Sequence, residues 1–165
     1  MPIECGPNNL ELIKIILPSV MVVLGWIVVY RIQRSSAAKQ DARKDLRTRL
    51  DKLDEDLKSL RDLCIDYYTD EKKGFELSTQ IKFIFEDIRR QSYILSNNFL
   101  KKLERKKLND ILKNISKSAT GGSFESKSRV ALDSNDLQLN SLFNSSAQLI
   151  NLFEDGFFHA YPPAV

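Results

Sequence analysis

The chain has 165 residues, of which 42% are hydrophobic and 28% are charged, and its formal net charge at pH 7 is +3. The charge is close to balanced, and the length suits one modest domain. The two cysteines, Cys5 and Cys64, are too few for a disulfide framework or for a zinc site built from cysteine thiolates.

The first element along the chain is an apolar run over residues 15–30. Two further apolar residues extend it across one lysine to about 19 residues, close to the roughly 20 that cross a hydrocarbon core of about 30 Å. Basic and polar residues follow Tyr30, and no small-residue cleavage site is present, which disfavours a signal peptide. The run predicts a transmembrane helix over residues 12–32, after a short external N-terminus over residues 1–11.

The charges that flank this run predict its orientation. Basic residues cluster on its C-terminal side, whereas the N-terminal stub carries two glutamates and one lysine. Because Lys and Arg near the ends of a span remain inside, we expect an external N-terminus and a cytoplasmic C-terminal domain at an inner or plasma membrane. Aromatic and basic side chains suit the two lipid interfaces. These residues are Lys14, Trp26, Tyr30, Arg31 and Arg34.

Residues 33–73 are predicted to form a stalk helix with a heptad seam, because apolar residues alternate at spacings of four and three. The seam residues are Leu46, Leu50, Leu53, Leu57, Leu60, Cys64 and Tyr67. Flanking positions carry opposite charges in the pairs Arg49–Asp54 and Asp56–Arg61, as a parallel coiled coil requires. Three interpretations remain open: self-association, in which copies crosslink through position 64, packing of the seam within its own domain, and pairing with a helix of another protein.

The rest of the chain shows helical periodicity without strand alternation. We expect helical segments over residues 74–117, with a break or cap at residues 96–98, and a flexible loop over residues 118–133. A C-terminal helix over residues 134–156 and an aromatic, proline-containing tail over residues 157–165 complete the chain. The predicted fold class is all-α, with a single N-terminal transmembrane helix, a coiled-coil-like helix and a cytoplasmic bundle of three or four helices.

Four lysines share one face of the second helical segment, within about 60° of one another on a helical wheel. They are Lys102, Lys106, Lys113 and Lys117. A solvated face is the simplest interpretation, and contact with anionic lipid or with an acidic partner is the functional one. Nucleic acid is disfavoured, since stacking aromatics do not alternate with the basic residues.

The sequence contains no catalytic motif. It lacks a P-loop, a nucleophile elbow and a zinc-protease helix, and its sole histidine, His159, lies in the aromatic tail. We therefore expect no enzyme, no cofactor, no metal site and no small-molecule substrate. The expected function is a membrane-anchored helical scaffold, in contact with the lipid bilayer, that forms homo-oligomers or recruits a helical protein partner. A membrane-disrupting effector of the phage-exclusion type and a regulatory subunit of a larger membrane complex are the alternatives.

Overall fold

The computed structural model describes residues 9–70, 75–100, 103–126, 131–133 and 136–162, with side chains from Val20 onward except that of Phe75. These ranges contain α1 (Asn9–Thr69), α2 (Phe75–Ile94), a π-helical turn (Leu95–Phe99), α3 (Arg105–Thr120) and α4 (Leu137–Ala160). No β-strand occurs within them, so the predicted all-α class is confirmed. The chain divides into two compact units, Met1–Arg43 and Lys44–Val165.

The first unit corrects the predicted transmembrane helix. Among the described residues, no helix is long and apolar enough to cross a membrane. A helix that crosses a bilayer core of about 30 Å needs about 20 largely apolar residues. The side chains of residues 12–19 lie outside the described part. The predicted single-pass fold over residues 12–32 is contradicted by this finding, and so is the predicted membrane localisation with its external N-terminus.

The second unit is built on the seam residues of α1, which we call the leucine stripe (Leu46, Leu50, Leu53, Leu57, Leu60, Cys64 and Tyr67). Every member of the stripe is at most 4% exposed. Spacings of three and four place these side chains on one face of the helix. The stripe forms a single hydrophobic core with residues of α2, α3 and α4, among them Ile81, Ile88, Ile115, Leu142 and Phe153.

A π-helical turn ends the α2 helix at Leu95–Phe99, where the sequence predicts a break. The Leu100 N–H donates a hydrogen bond to the Leu95 carbonyl, with the nitrogen and oxygen 3.0 Å apart. This i to i−5 bond widens the helix by one residue. The turn buries Leu95 and is followed by Leu100, which is also buried, before α3 begins at Arg105.

Helix α4 continues through Gly156, where the sequence predicts its end, and finishes at Ala160. A Cβ atom added at Gly156 would lie 3.0 Å from Leu103 Cδ1 and 3.1 Å from Leu100 Cδ1. Such contacts are tighter than ordinary van der Waals packing, so a side chain there would displace these leucines. Gly156 therefore serves close packing inside the helix, and it does not act as a helix stop.

Two tyrosines at the end of α1 hold the turn that follows α3. The Tyr68 hydroxyl donates to the Ala119 carbonyl at 3.0 Å, and the Glu125 N–H donates to the Tyr67 hydroxyl oxygen at 2.8 Å. Both tyrosines are buried. The start of the segment predicted to be a flexible loop is thus fixed to the core by side chains from α1.

Glu125 ends this turn with a positive φ of 59°, a region that residues other than glycine rarely occupy. Its carboxylate accepts hydrogen bonds from Lys82 Nζ at 2.7 Å and from Ser78 Oγ at 3.0 Å. These bonds favour the charged form and lower the pKa of the Glu125 carboxyl group. They also connect the turn to α2.

We expect the Leu53→Ala substitution to lower the free energy of unfolding by about 2–5 kcal/mol, because it leaves a cavity in a fully buried part of the core. Urea denaturation followed by circular dichroism measures this loss. Leu137, which is 85% exposed, provides the control, since Leu137→Ala is expected to change stability by less than about 0.5 kcal/mol. A loss below about 1 kcal/mol for Leu53→Ala would contradict an internal leucine stripe.

We expect Glu125→Gln to lower the melting temperature at neutral pH, where the wild-type carboxylate is charged. Because the folded-state pKa is lowered, its stabilising effect is complete above the unfolded-state pKa and is lost as the pH falls through the folded-state value. The difference between the two proteins should therefore disappear on acidification, as scanning calorimetry would show. A difference that persists at acidic pH would mean that the charge of Glu125 does not stabilise the turn.

Candidate functional site

The structure places the whole leucine stripe inside the second unit. Leu46, Leu53, Leu60 and Cys64 have no exposed surface. Packing of the seam within its own domain accounts for this burial. Self-association through the same residues would require the bundle to open, because its seam offers no free surface to a second helix.

Both residues of the first predicted charge pair, Arg49 and Asp54, form contacts along their own helix. Arg49 Nε lies 3.1 Å from Asp45 Oδ1, and Lys58 Nζ lies 2.6 Å from Asp54 Oδ2. Both are i, i+4 pairs on the exposed surface, which stabilise a helix by only a few tenths of a kcal/mol. Arg49 and Asp54 are therefore already paired within the chain.

The second predicted pair is also separated. Gln91 Nε2 donates to Asp56 Oδ2 at 2.6 Å, which joins α2 to α1. The Arg61 guanidinium lies 5.8 Å from the centroid of the Phe143 ring, on α4. Each residue thus contacts another helix of the same bundle, and pairing of Asp56 with Arg61 between copies stays a prediction.

The basic face lies on α3 as far as it is described. Lys106, Lys113 and Lys117 are exposed, and Lys102 lies outside the described residues. The opposite face of α3 is buried in the core through Leu108, Ile111, Leu112 and Ile115. None of the three described lysines forms an ion pair with another described residue. This arrangement presents positive charge to solvent, and an acidic partner remains a prediction.

The residues predicted to lie at membrane interfaces belong to the first unit. Trp26, Tyr30, Arg31 and Arg34 are exposed on α1, and Trp26 is 78% exposed. The Lys14 side chain lies outside the described part of the chain. The helix therefore presents aromatic and basic side chains next to one another without burying them.

A pocket that the sequence does not predict opens beside the C-terminal end of α4. Its described wall combines residues of α4 with the end of the π-helical turn and residues just before α3, and its volume is about 810 Å³. The apolar part of its wall consists of Phe99, Leu100, Leu103, Leu152, Gly156 and Ala160. Glu104, Asp155 and His159 supply polar groups to the same wall. We call this cavity the α4 pocket.

The two carboxylates of the α4 pocket are unpaired within the described residues. Neither the Glu104 nor the Asp155 side chain forms a hydrogen bond or ion pair there. No group of three histidine, cysteine or acidic side chains in the described ranges is arranged to hold a metal ion. The described wall of the pocket thus combines apolar side chains with two exposed carboxylates and His159, and the two carboxylates also line the adjoining groove with Lys106 and Lys107.

Cys64 is the one cysteine of the leucine stripe, and its buried position makes the thiol unreactive. The thiol is buried, and this burial raises its pKa to about 12. The thiolate is the form that attacks electrophiles and oxidises to disulfides. A crosslink between copies through position 64 is not expected from the folded chain.

Sequence reasoning did not find the α4 pocket, although two signals pointed to its location. One was the polar break at residues 96–98, where the π-helical turn forms. The other was Gly156 within a helical pattern, since an isolated glycine in a helix often marks close packing. Neither signal specifies a pocket without the positions of Leu100 and Leu103.

Comparison of the chain with protein-family models, with curated proteins and with solved structures gives no significant match. The described part of the chain is an all-α protein. Its first helix begins in the N-terminal unit and continues into the bundle of the second unit.

We expect Cys64 to be unreactive in the folded protein. In a Cys5→Ser variant, which leaves Cys64 as the sole thiol, a disulfide exchange reagent such as DTNB should react only after a denaturant unfolds the bundle. The physical reason is the absence of accessible thiolate at neutral pH. Complete labelling of the native protein within minutes would contradict the burial of the stripe.

Proposed function

We propose that this protein is a helical assembly module. The bundle of the second unit is a folded body, and copies of the chain associate through residues 20–32 of α1, which we call the apolar segment. The observation that carries the proposal is the exposure of large hydrophobic side chains along this segment. Recruitment of other proteins to the bundle would be the use of such an assembly.

The exposure of the apolar segment is extensive. Its large hydrophobic side chains are between 46% and 78% exposed. They are Val20, Met21, Val22, Val23, Leu24, Trp26, Ile27, Val28, Val29, Tyr30 and Ile32. Successive positions along a helix point in different directions, so these side chains surround the axis. A helix that is apolar on all sides is stable when it is buried.

Contiguous apolar surface of this kind usually marks an interaction site in a folded protein. Removal of one Val, Leu or Ile side chain from water contributes about 1.5–3 kcal/mol. Association costs roughly 4–15 kcal/mol in lost translational and rotational entropy. Several such side chains from each copy are needed to offset this cost. The apolar segment offers enough of them when more than one face of the helix is covered, which favours a cluster of helices over a single pair.

A second copy of the chain is the occupant that this chemistry favours. No charged residue lies between Val20 and Tyr30, so copies can approach without burying a charge or placing like charges together. Val23, Ile27 and Tyr30 recur at spacings of four and three, the pattern by which identical helices interlock. The leucine stripe is already buried in the bundle, which leaves the apolar segment as the available helical seam.

Substitution of Ile27 by glutamate should dissociate the assembly, because a carboxylate in an apolar contact loses its hydration. We expect the full-length protein to be oligomeric in size-exclusion chromatography with light scattering, and Ile27→Glu to shift it toward the monomer. Phe83→Glu is the matched control, since Phe83 is 70% exposed on α2 in the second unit. That variant should retain the oligomer, and circular dichroism should report the same helix content for all three proteins.

Two outcomes would overturn this proposal. One is a full-length protein that stays monomeric at micromolar concentration, either free or as a single copy within a detergent micelle. The other is an oligomer that Ile27→Glu and Phe83→Glu affect equally, which would place the contact outside the apolar segment.

A further inference from the structure

We infer that the exposed face of α2 is a contact surface for a second copy of the chain, and that the α2 helices of the two copies meet there in antiparallel orientation. The residues that carry this inference lie in the second unit, so it is independent of assembly through the apolar segment. It rests on an exposed aromatic ring, a groove that can receive this ring and a charge pattern that complements itself.

Helix α2 carries large hydrophobic side chains on the face that points away from the core. Phe83 is 70% exposed, and Tyr93 and Ile94 are exposed as well. Ile81 and Ile88, on the opposite side of the same helix, are fully buried in the bundle. Exposed apolar side chains that share one face of a helix mark an interaction site.

A shallow groove lies on this face toward the C-terminal end of α2. Four residues of its wall occupy positions i, i+3, i+4 and i+7, which form the hole that accepts one side chain of a facing helix. They are Arg90, Tyr93, Ile94 and Asn97. Phe83 lies about three turns before the middle of this hole. In an antiparallel pair, Phe83 of each copy therefore reaches the hole of the other copy, and a twofold axis near Ile88 relates the two contacts.

The charges along the groove are symmetric about Ile88. Two acidic residues precede it, Glu86 and Asp87, and two basic residues follow it, Arg89 and Arg90. In an antiparallel pair, each acidic residue faces a basic residue of the other copy, whereas parallel helices would place like charges together. Charge complementarity therefore selects a second, antiparallel copy of α2 as the occupant of this face.

These charged residues already form pairs along α2. Arg89 Nη2 lies 2.6 Å from Glu86 Oε2, and Arg90 Nη2 lies 2.8 Å from Asp87 Oδ1. Because exposed pairs contribute little free energy, the charges determine the direction and register of the contact. Removal of the two Phe83 rings from water supplies most of its affinity.

The contact is small, and it is therefore weak. One face of one helix belongs to the class of interfaces that bury less than about 1,200 Å², and such interfaces are transient. We expect a dissociation constant on the order of 0.1–1 mM for this pair. At the micromolar concentrations that test assembly through the apolar segment the pair is not populated, so Phe83→Glu remains a valid control there.

Sedimentation equilibrium of the full-length Ile27→Glu variant, up to millimolar concentration, tests the inference without assembly through the apolar segment. We expect an equilibrium between monomer and dimer. The additional substitution Phe83→Ala should weaken the dimer roughly tenfold or more, because it removes the side chain that fills the groove. If the wild type is itself monomeric at micromolar concentration, it takes the place of the Ile27→Glu variant, so failure of the proposed assembly leaves this test intact.

Charge reversal tests the register of the pair. Glu86→Arg and Arg90→Glu, each added to the same variant, should weaken self-association roughly fivefold or more, since each places like charges opposite one another at both symmetric contacts. An equimolar mixture of the two should regain the affinity of the unreversed protein, because every reversed residue then faces an opposite charge. Asp62→Arg, a reversal at an exposed residue of α1, is the matched control and should have no effect.

Circular dichroism should report the same helix content for all of these variants, since every substituted side chain of α2 is exposed. Three outcomes would overturn the inference. They are a chain that stays monomeric at millimolar concentration, a dimer that Phe83→Ala and Asp62→Arg affect equally, and reversed variants that do not associate with each other.

Discussion

Burial of the leucine stripe is the interaction on which the bundle depends. Its side chains lie on one face of α1 and contact a core to which α2, α3 and α4 all contribute. The last stripe residue, Tyr67, and its neighbour Tyr68 extend the same face into hydrogen bonds that fix the turn after α3. One helical face therefore organises both the hydrophobic core and the longest connection that the bundle contains. Loss of volume at the centre of this face would leave a cavity in a core to which all four helices contribute.

The positions of the stripe could be predicted from the sequence, but its partner could not. A repeat of four and three residues places apolar side chains on one face of a helix, and it carries no information on whether the facing helix belongs to the same chain. The choice depends on the amphipathic faces of α2, α3 and α4, which cover the stripe completely. The prediction of a transmembrane helix over residues 12–32 was wrong, since none of the described helices is long and apolar enough to cross a membrane.

The α4 pocket illustrates a second limit of sequence reasoning. Gly156 was interpreted as a helix stop because glycine commonly follows the last turn of a helix. In the structure it lies inside α4, where the absence of a Cβ lets Leu100 and Leu103 approach. Those leucines are positioned by the π-helical turn, and a turn of this type has no reliable pattern in a single sequence. The pocket is a consequence of two backbone features that composition and periodicity do not encode.

Charged residues beside the leucine stripe form their contacts within the chain, which bears on how copies of the chain could associate. Arg49, Asp54 and Asp56 were predicted to match charges on a second copy, yet each forms its contact within the chain. An exposed pair of this kind contributes little to stability, but an ion that already has a partner gains still less from a second one. Association through the stripe would therefore lose the core and recover few charge contacts. The large hydrophobic side chains of residues 20–32 face no such competition, because they are exposed. The proposed assembly through residues 20–32 would use side chains that take no part in the core of the bundle.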